Sequence, residues 1–249
     1  MIRIVNLHKN YGRLAAVDGL NIEVSEGEIF GFLGPNGAGK TTTIRVMMGI
    51  LKATSGQVML GGHDIAREPE EAKAIAGFIP DRPFIYEKLS AQEFLIFVGR
   101  LRRMETPRLQ RRIADLLEHF ELREWQDELV EGFSHGMKQR LVLCAALLHE
   151  PRILVVDEPM VGMDPKGART LKDLFRSLAR AGTTIFLSTH SISVAEEVCH
   201  RIGIIQKGHL IASGATADLY GLTCKQDSNL EDVFLELTRQ QDDLRAVER

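Results

Sequence analysis

The stretch Gly34-Pro35-Asn36-Gly37-Ala38-Gly39-Lys40-Thr41 constrains this chain more than any other part of it. It fits the spacing of a glycine, four residues, then Gly-Lys-Thr. Glycines at these positions let the backbone turn tightly with its N–H groups inward, making a concave nest for an anion. In such a loop Lys40 reaches the β- and γ-phosphates and the Thr41 hydroxyl ligates Mg²⁺. The flanks agree. Glu28–Leu33 reads as a buried strand running into the loop, and Thr42–Met48 as a helix whose N-terminus faces the phosphates. A chance glycine-rich turn would account for neither the strand, the helix nor the Lys-Thr pair.

The 249 residues suffice for one large domain or two small lobes around a sizeable core. A hydrophobic content of 44% and a charged content of 26% are those of an ordinary globular protein. The formal net charge of −3 gives no overall bias toward nucleic acid or an anionic membrane. Apolar runs such as Ile153–Val156 are far too short to span a bilayer, and Met1–Asn6 opens like a strand and not like a signal peptide. Cys144, Cys199 and Cys224 are scattered and have neither disulfide-framework nor metal-ligand spacing, so a reducing compartment and structural roles are expected.

Along the chain, Ile2–Leu7 and Leu20–Val24 alternate apolar and polar residues as strands do. Tyr11 lies between them, expected in a turn. It reads as a surface or packing residue or, if the chain returns to the phosphate loop, as a ring for stacking on adenine. Gln57–Leu60 and Gly61-Gly62 suggest a short strand and turn, and Ala76–Pro80 a strand leading into an Asp81-Arg82-Pro83 loop. From Ser90 to Glu131 the periodicity becomes helical and Gly99 is the only glycine. Six arginines lie between Arg100 and Arg112, and seven acids between Asp115 and Glu131. The pattern fits two solvated helix faces or a docking surface. Phe133–Arg140 opens a new helix with Ser134 as a candidate N-cap, and Leu141, Cys144, Ala145 and Leu148 fall on one apolar face.

Ile153–Val156 is a β-branched run of the kind buried on both faces of a sheet. It ends in Asp157-Glu158, two carboxylates where α/β sheets hold their ligands. Asp157 suits Mg²⁺ and Glu158 suits polarising a water. Gly162–Pro165 turns into a helix over roughly Lys166–Arg180. Thr184–Ser188 is another buried strand, ending in Thr189-His190. The histidine is either structural or a γ-phosphate contact. Ile192–Cys199 reads as helix, Arg201–Gln206 and Leu210–Ala212 as strands around Lys207-Gly208, and Leu230–Leu237 as an amphipathic helix.

Phosphate loop, the 133–140 helix start, Asp-Glu after a strand and His after a strand, in this order, resemble the ATP-binding subunit of an ABC transporter over nearly the whole chain. The stretch Phe133-Ser134-His135-Gly136-Met137-Lys138-Gln139-Arg140 makes the resemblance specific. It is similar to the signature of bacterial ABC-2-type exporter subunits, and Asn229–Leu237 fits the same branch. The resemblance implies an α/β P-loop NTPase core, built from 1–80 and 150–220, with a mixed, largely parallel sheet and an N-terminal antiparallel β region. It implies an inserted α-helical lobe at 81–149 and a short C-terminal helical extension at 221–249.

For function the resemblance implies an ATPase using ATP and Mg²⁺. Two copies would pair head to tail, with ATP held by Gly34, Asn36, Gly37, Ala38, Gly39, Lys40, Thr41 and Thr42 of one copy and by Ser134 and Gly136 of the other. Tyr11 would stack on adenine, Asp164 would lie at the dimer interface, and Thr41, Asp157 and Asp81 would hold the metal. Glu158 would be the general base and His190 the γ-phosphate contact. The partner would be an integral membrane permease docked on 81–131, which puts the subunit on the cytoplasmic face of the membrane with export favoured and no nucleic acid involved. This chain carries Asp81 where the family usually has glutamine, and His135 and Met137 where many members have Gly and Gln. A soluble relative acting on ribosomes or DNA is the alternative. The single phosphate loop, and an interval between Lys40 and Asp157 too short for a long coiled coil, argue against it. Lys40, Asp157, Glu158 and His190 are all present, which argues against a non-hydrolysing regulator.

Overall fold

The computed structural model of the chain describes residues 1–82, 84–160, 163–221 and 230–247, with side chains through 238. Pro83, Gly162, Cys224 and Asn229, which figure in the expectations above, lie outside the described residues. In chain order the elements are β1 (Ile2–Tyr11), β2 (Leu14–Val24), β3 (Ile29–Leu33), α1 (Lys40–Met47), β4 (Ser55–Leu60), β5 (His63–Asp64), α2 (Pro69–Ala74) and β6 (Ala76–Ile79). There follow α3 (Ala91–Leu101), α4 (Thr106–His119), α5 (His135–Leu147), β7 (Ile153–Asp157), α6 (Pro165–Arg180) and β8 (Thr184–Thr189). The chain closes with α7 (Ile192–Val198), β9 (Arg201–Gln206), β10 (His209–Ala215), α8 (Thr216–Tyr220) and α9 (Leu230–Val247).

The first sheet has the order β2-β1-β4-β5 and its neighbours run antiparallel. Ile2, Ile4 and Leu7 point inward while Arg3 and Val5 are exposed, the alternation of a sheet covered on one side. Both strands run further than the apolar pattern indicates. Tyr11 is therefore the last residue of β1, paired with Leu14, and not part of a turn.

The second sheet has the order β10-β9-β3-β8-β7-β6. Its β9–β10 hairpin is antiparallel and its other pairings are parallel. β3 and β7 are buried at every residue because both their faces are covered. Phe30, Phe32, Ile153, Val155 and Phe186 point to one face, where they meet α1 and the antiparallel sheet. Ile29, Leu33, Leu154, Val156, Ile185 and Leu187 point to the other, where α3–α7 cover them. Phe186 lies between Phe30 and Phe32, with ring centroids 5.6 and 5.3 Å away. Leu33, Ile79, Asp157 and Thr189 all end their strands on one edge of this sheet, the carboxyl edge where open α/β sheets bind ligands.

The helices between β6 and β7 share the second of these cores. Ser90 and Glu93 form a reciprocal capping box at the start of α3. A side chain at Gly99 would come within 2.2 Å of Leu109, so the lone glycine of this stretch permits the close α3–α4 approach. Beyond its first turn α5 is buried on nearly every side, with Leu141–Cys144 and Ala146–Leu147 all inaccessible, which exceeds the single apolar face its spacing suggests. The arginines mostly have structural partners. Arg102 donates to the Lys73 carbonyl at 2.5 Å and Arg112 to the Leu147 carbonyl at 3.3 Å, while Arg103 pairs with Glu70 and Arg108 with Glu150. They tie α3 and α4 to α2 and to the end of α5. Cys144 and Cys199 are buried, and burial pushes each thiol up to about 12, so both behave as small apolar residues.

Candidate active site

The loop from Gly34 to Gly39 leaves β3 and enters α1 directly. Gly39 has φ +110 and Gly37 φ +79, values that L side chains rarely adopt. Gly34 and Gly39 also need to be bare, since a Cβ would lie 2.4 Å from the Ile205 carbonyl oxygen at the first and 2.5 Å from that of Ala16 at the second. Asn36 and Gly37 are exposed at the crest, Ala38 is buried, and Thr41 and Thr42 are half-buried in the first turn of α1. Lys40 is buried and folds over its own loop, its Nζ donating to the Gly34 carbonyl at 2.6 Å and to the Pro35 carbonyl at 3.2 Å.

Parallel register brings the carboxylates to this lysine. Asp157 pairs with Ser188 across β7–β8, and the Ser188 hydroxyl donates to Asp157 at 2.7 Å. The Thr41 hydroxyl also hydrogen-bonds Asp157. Burial pushes the Asp157 carboxyl above its ordinary value. Those two hydrogen bonds oppose the shift, and the nearby charges of Asp81 and Glu158 add to it. Glu158 follows with φ +48, a left-handed turn unusual for a glutamate, and its N–H donates to the Ser188 carbonyl. One of its oxygens lies 3.5 Å from Lys40 Nζ and the other 2.9 Å from His190 Nδ1.

Lys40, Thr41, Asp157, Glu158 and His190 thus converge, and exposed Asp81 lies near enough for its charge to act on Asp157. The donor set is hard: a hydroxyl already bonded to a desolvated carboxylate, with a second carboxylate close by. These groups fit Mg²⁺, whose ligands are oxygens and which relieves the clustered negative charge. Ser188 is the member of this cluster that sequence reading missed. It lies within an apolar strand, and only the β7–β8 register reveals it. Gln139 is a weaker case, buried with its amide donating to the Pro159 carbonyl at 3.5 Å.

Other expected residues lie apart from this cluster. Tyr11 is 46% exposed at the tip of the first sheet, with Lys9 Nζ 5.2 Å from its ring centroid. Ser134 is the N-cap of α5, its hydroxyl accepting from the Met137 N–H at 3.3 Å. Asp164 is the N-cap of α6, accepting from the Gly167 N–H at 3.0 Å. Gly136 and Asp164 share a cavity of about 300 Å³ between α5 and α6, which among the described residues includes none from the phosphate loop.

Known proteins match this arrangement. The family model described as ABC transporter matches residues 17–161. The linearmycin resistance ATP-binding protein LnrL of Bacillus subtilis is 38% identical over 219 residues, which cover 88% of this chain and 70% of that protein. The Nod factor export ATP-binding protein I of Paraburkholderia xenovorans is 39% identical over 218 residues, covering 88% and 72%. A solved ATP-binding subunit of an ABC transporter superposes with a TM-score of 0.90 at 29% identity, covering 96% of this chain and 99% of that one. Phosphate loop, paired carboxylates and these matches agree: the chain belongs to the ABC transporter family, as one of its ATP-hydrolysing, ATP-binding subunits.

Proposed function

We propose that this subunit powers export through a separate membrane permease, as a head-to-tail pair of identical chains that closes on two ATP molecules. The observation that carries the reading is the division of the expected residues into two separate halves, the first largely buried and the second exposed. One is the Lys40–Glu158–His190 cluster, and the other is the start of α5 with Asp164. A second copy, turned head to tail, supplies Ser134 and Gly136 to the phosphates held by Gly34–Thr42 of the first. Tyr11 takes adenine, and Asp164 lines the interface.

Thr41 and Asp157, with Asp81 nearby, would hold Mg²⁺, and the metal would screen phosphate charge. Lys40 leaves the Gly34 and Pro35 carbonyls for the β- and γ-phosphates. Glu158 accepts the proton of the attacking water, and His190 orients Glu158 and contacts the γ-phosphate. The permease docks beside Asp81, where Phe84 and Leu101 are 82% and 67% exposed and Tyr86 packs edge-on against Phe97 at 5.4 Å. Apolar exposure of this size suits a partner helix. With no described helix long and apolar enough to cross a membrane, attachment to the inner face of the membrane runs through that partner.

Glu158→Gln tests the reading. It keeps shape and hydrogen bonding but cannot take a proton. With Mg-ATP it should elute as a dimer, hydrolyse ATP at most slowly, and retain a membrane protein on co-purification. Persistence as a monomer with ATP and the permease both present would remove the paired mechanism.

A further inference from the structure

The turn between β9 and β10 touches both the phosphate loop and β2, the strand paired with the one that carries Tyr11. The Gly208 N–H donates to the carbonyl of Ala38 in the phosphate loop at 2.8 Å, and the Gly208 carbonyl accepts from the Asp18 N–H of β2 at 2.9 Å. Its carbonyl therefore joins the second sheet to the first, two sheets that share no strand pairing among the described residues, while its N–H holds the phosphate loop. Gly208 has φ +86, and a Cβ there would lie 3.1 Å from the Ala16 carbonyl oxygen and 3.2 Å from the Val17 Cα. Ala16 in turn lies against Gly39 of the phosphate loop. The Asp18 side chain reinforces the join, with His8 Nδ1 of β1 at 2.9 Å and His209 Nε2 of β10 at 3.4 Å.

We propose that the Gly208 turn, with Asp18 held between His8 and His209, is a positioning device for the nucleotide. It fixes the spacing between the adenine platform at the end of β1 and the phosphate loop. The proposal rests on the reading that Tyr11 takes adenine. A nucleotide joins two weakly binding parts by a short linker, and both engage at full strength only if the protein holds their sites at the matching distance. Tyr11 is coupled to Ala16 and Asp18 by the β1–β2 hairpin. Through Gly208 and Ala38, a displacement of β2 becomes a displacement of adenine relative to the phosphates. Neither Gly208 nor Asp18 needs to touch ATP for this.

The test compares ATP with inorganic tripolyphosphate, which occupies the phosphate loop alone. Each is measured by displacement of a fluorescent ATP analogue at fixed Mg²⁺. Gly208→Ala pushes β2 from the turn and should weaken ATP about tenfold, which corresponds to about 1.4 kcal/mol. Tripolyphosphate affinity should stay within about twofold, and in turnover the loss should fall on KM rather than kcat. Asp18→Ala keeps the backbone bond and serves if Gly208→Ala does not fold. It should weaken ATP about threefold, by loosening the same join, and spare tripolyphosphate. Equal losses of both probes, or no loss of ATP affinity, overturn the proposal. Tyr11→Ala separates the two readings: unchanged ATP affinity there overturns the adenine platform and the proposal with it. A selective ATP loss in Tyr11→Ala beside equal losses in Gly208→Ala overturns the positioning device alone.

Discussion

Lys40 Nζ and Glu158 Oε1 face each other 3.5 Å apart, and among the described residues that buried oxygen accepts no hydrogen bond. The lysine instead donates to the Gly34 and Pro35 carbonyls. Opposite charges this close and this buried stabilise one another, yet neither is committed to the other by a hydrogen bond, so both are free to turn toward phosphate and water.

Lys40→Ala removes the phosphate-binding charge and leaves the buried Glu158 oxygen and the Gly34 and Pro35 carbonyls without their cation. Hydrolysis should fall at least about a hundredfold, equivalent to about 2.7 kcal/mol of transition-state stabilisation. Mg-ATP binding by calorimetry should weaken sharply. Turnover at the parent rate would remove the phosphate-loop assignment.

Asp157 is held above its ordinary carboxyl value, chiefly by burial. The sign follows. A carboxyl raised on folding contributes stability below its unfolded value and loses it as pH rises through the folded one, so the charged form costs stability. Asp157→Asn keeps one acceptor oxygen for the Ser188 hydroxyl, offers an amide N–H to the Thr41 oxygen, and removes the charge. Without ligand it should melt about 2–4 °C above the parent, the shift expected for about 1 kcal/mol in a chain of this size. It should gain nothing from Mg²⁺ and should not hydrolyse ATP. A lower melting point by scanning fluorimetry would sink the argument.

The fold and the catalytic cluster were legible in different degrees. Loop chemistry and strand burial are local, so Gly34–Thr41, Ile153–Glu158 and Thr184–His190 announce themselves. Ser188 and Gly208 matter through register and through contacts across sheets, which no local pattern encodes. The arginines of α3 and α4 show the same limit. Charge segregation fits solvated helix faces or a docking face, and it does not reveal the partners distant in sequence, the Lys73 and Leu147 carbonyls, Glu70 and Glu150, that engage four of the six guanidiniums. β1 and β2 outran their apolar runs because β pairing continues to Tyr11 opposite Leu14 regardless of side-chain polarity.

That assignment of the arginines is itself testable. The Arg102 guanidinium is largely buried and serves the Lys73 carbonyl at the join of α3 and α2. Arg102→Ala should cost about 1–2 kcal/mol in urea unfolding, from a lost charged hydrogen bond and lost packing. Arg111→Glu, on an exposed arginine that only reaches back to the Pro107 carbonyl, should stay within about 0.5 kcal/mol. Equal costs would return the cluster to a solvated face.

His149 supplies a pH dependence. Burial, aided by the Arg102 charge, lowers its pKa to about 4. One ring nitrogen lies 3.1 Å from the Ala76 carbonyl, and the other is buried with no partner among the described residues. A histidine depressed on folding contributes stability above its unfolded value and loses it as pH falls, here from about 6.5 toward about 4. Between pH 7 and pH 5 this group alone should remove about 2 kcal/mol. His149→Gln keeps a donor for Ala76 and cannot titrate, so its unfolding free energy should fall less over that range. Parallel curves for parent and variant would show that His149 is not the group responsible.

Asp81 carries the prediction most particular to this chain. It is exposed in the loop after β6, and its charge helps to raise Asp157. A glutamine there would offer a neutral oxygen and an N–H₂ donor, whereas an ionised aspartate is shorter and only accepts. It cannot hydrogen-bond a phosphate of like charge, so its favourable partner is the cation, reached through water. Removing it should have two opposite effects. Without Mg²⁺, Asp81→Ala should ease the strain on Asp157 and raise the melting point slightly. With Mg²⁺, it should lower metal affinity severalfold and uncouple permease-stimulated from basal ATPase, because the same loop leads to Phe84 and Tyr86. Asp81→Gln should retain both activities. A magnesium titration of ATPase, run with and without the permease, reads all of these. If Asp81→Ala matches the parent in Mg²⁺ dependence and in stimulation, Asp81 is an ordinary loop carboxylate, and the metal site is complete with Thr41 and Asp157.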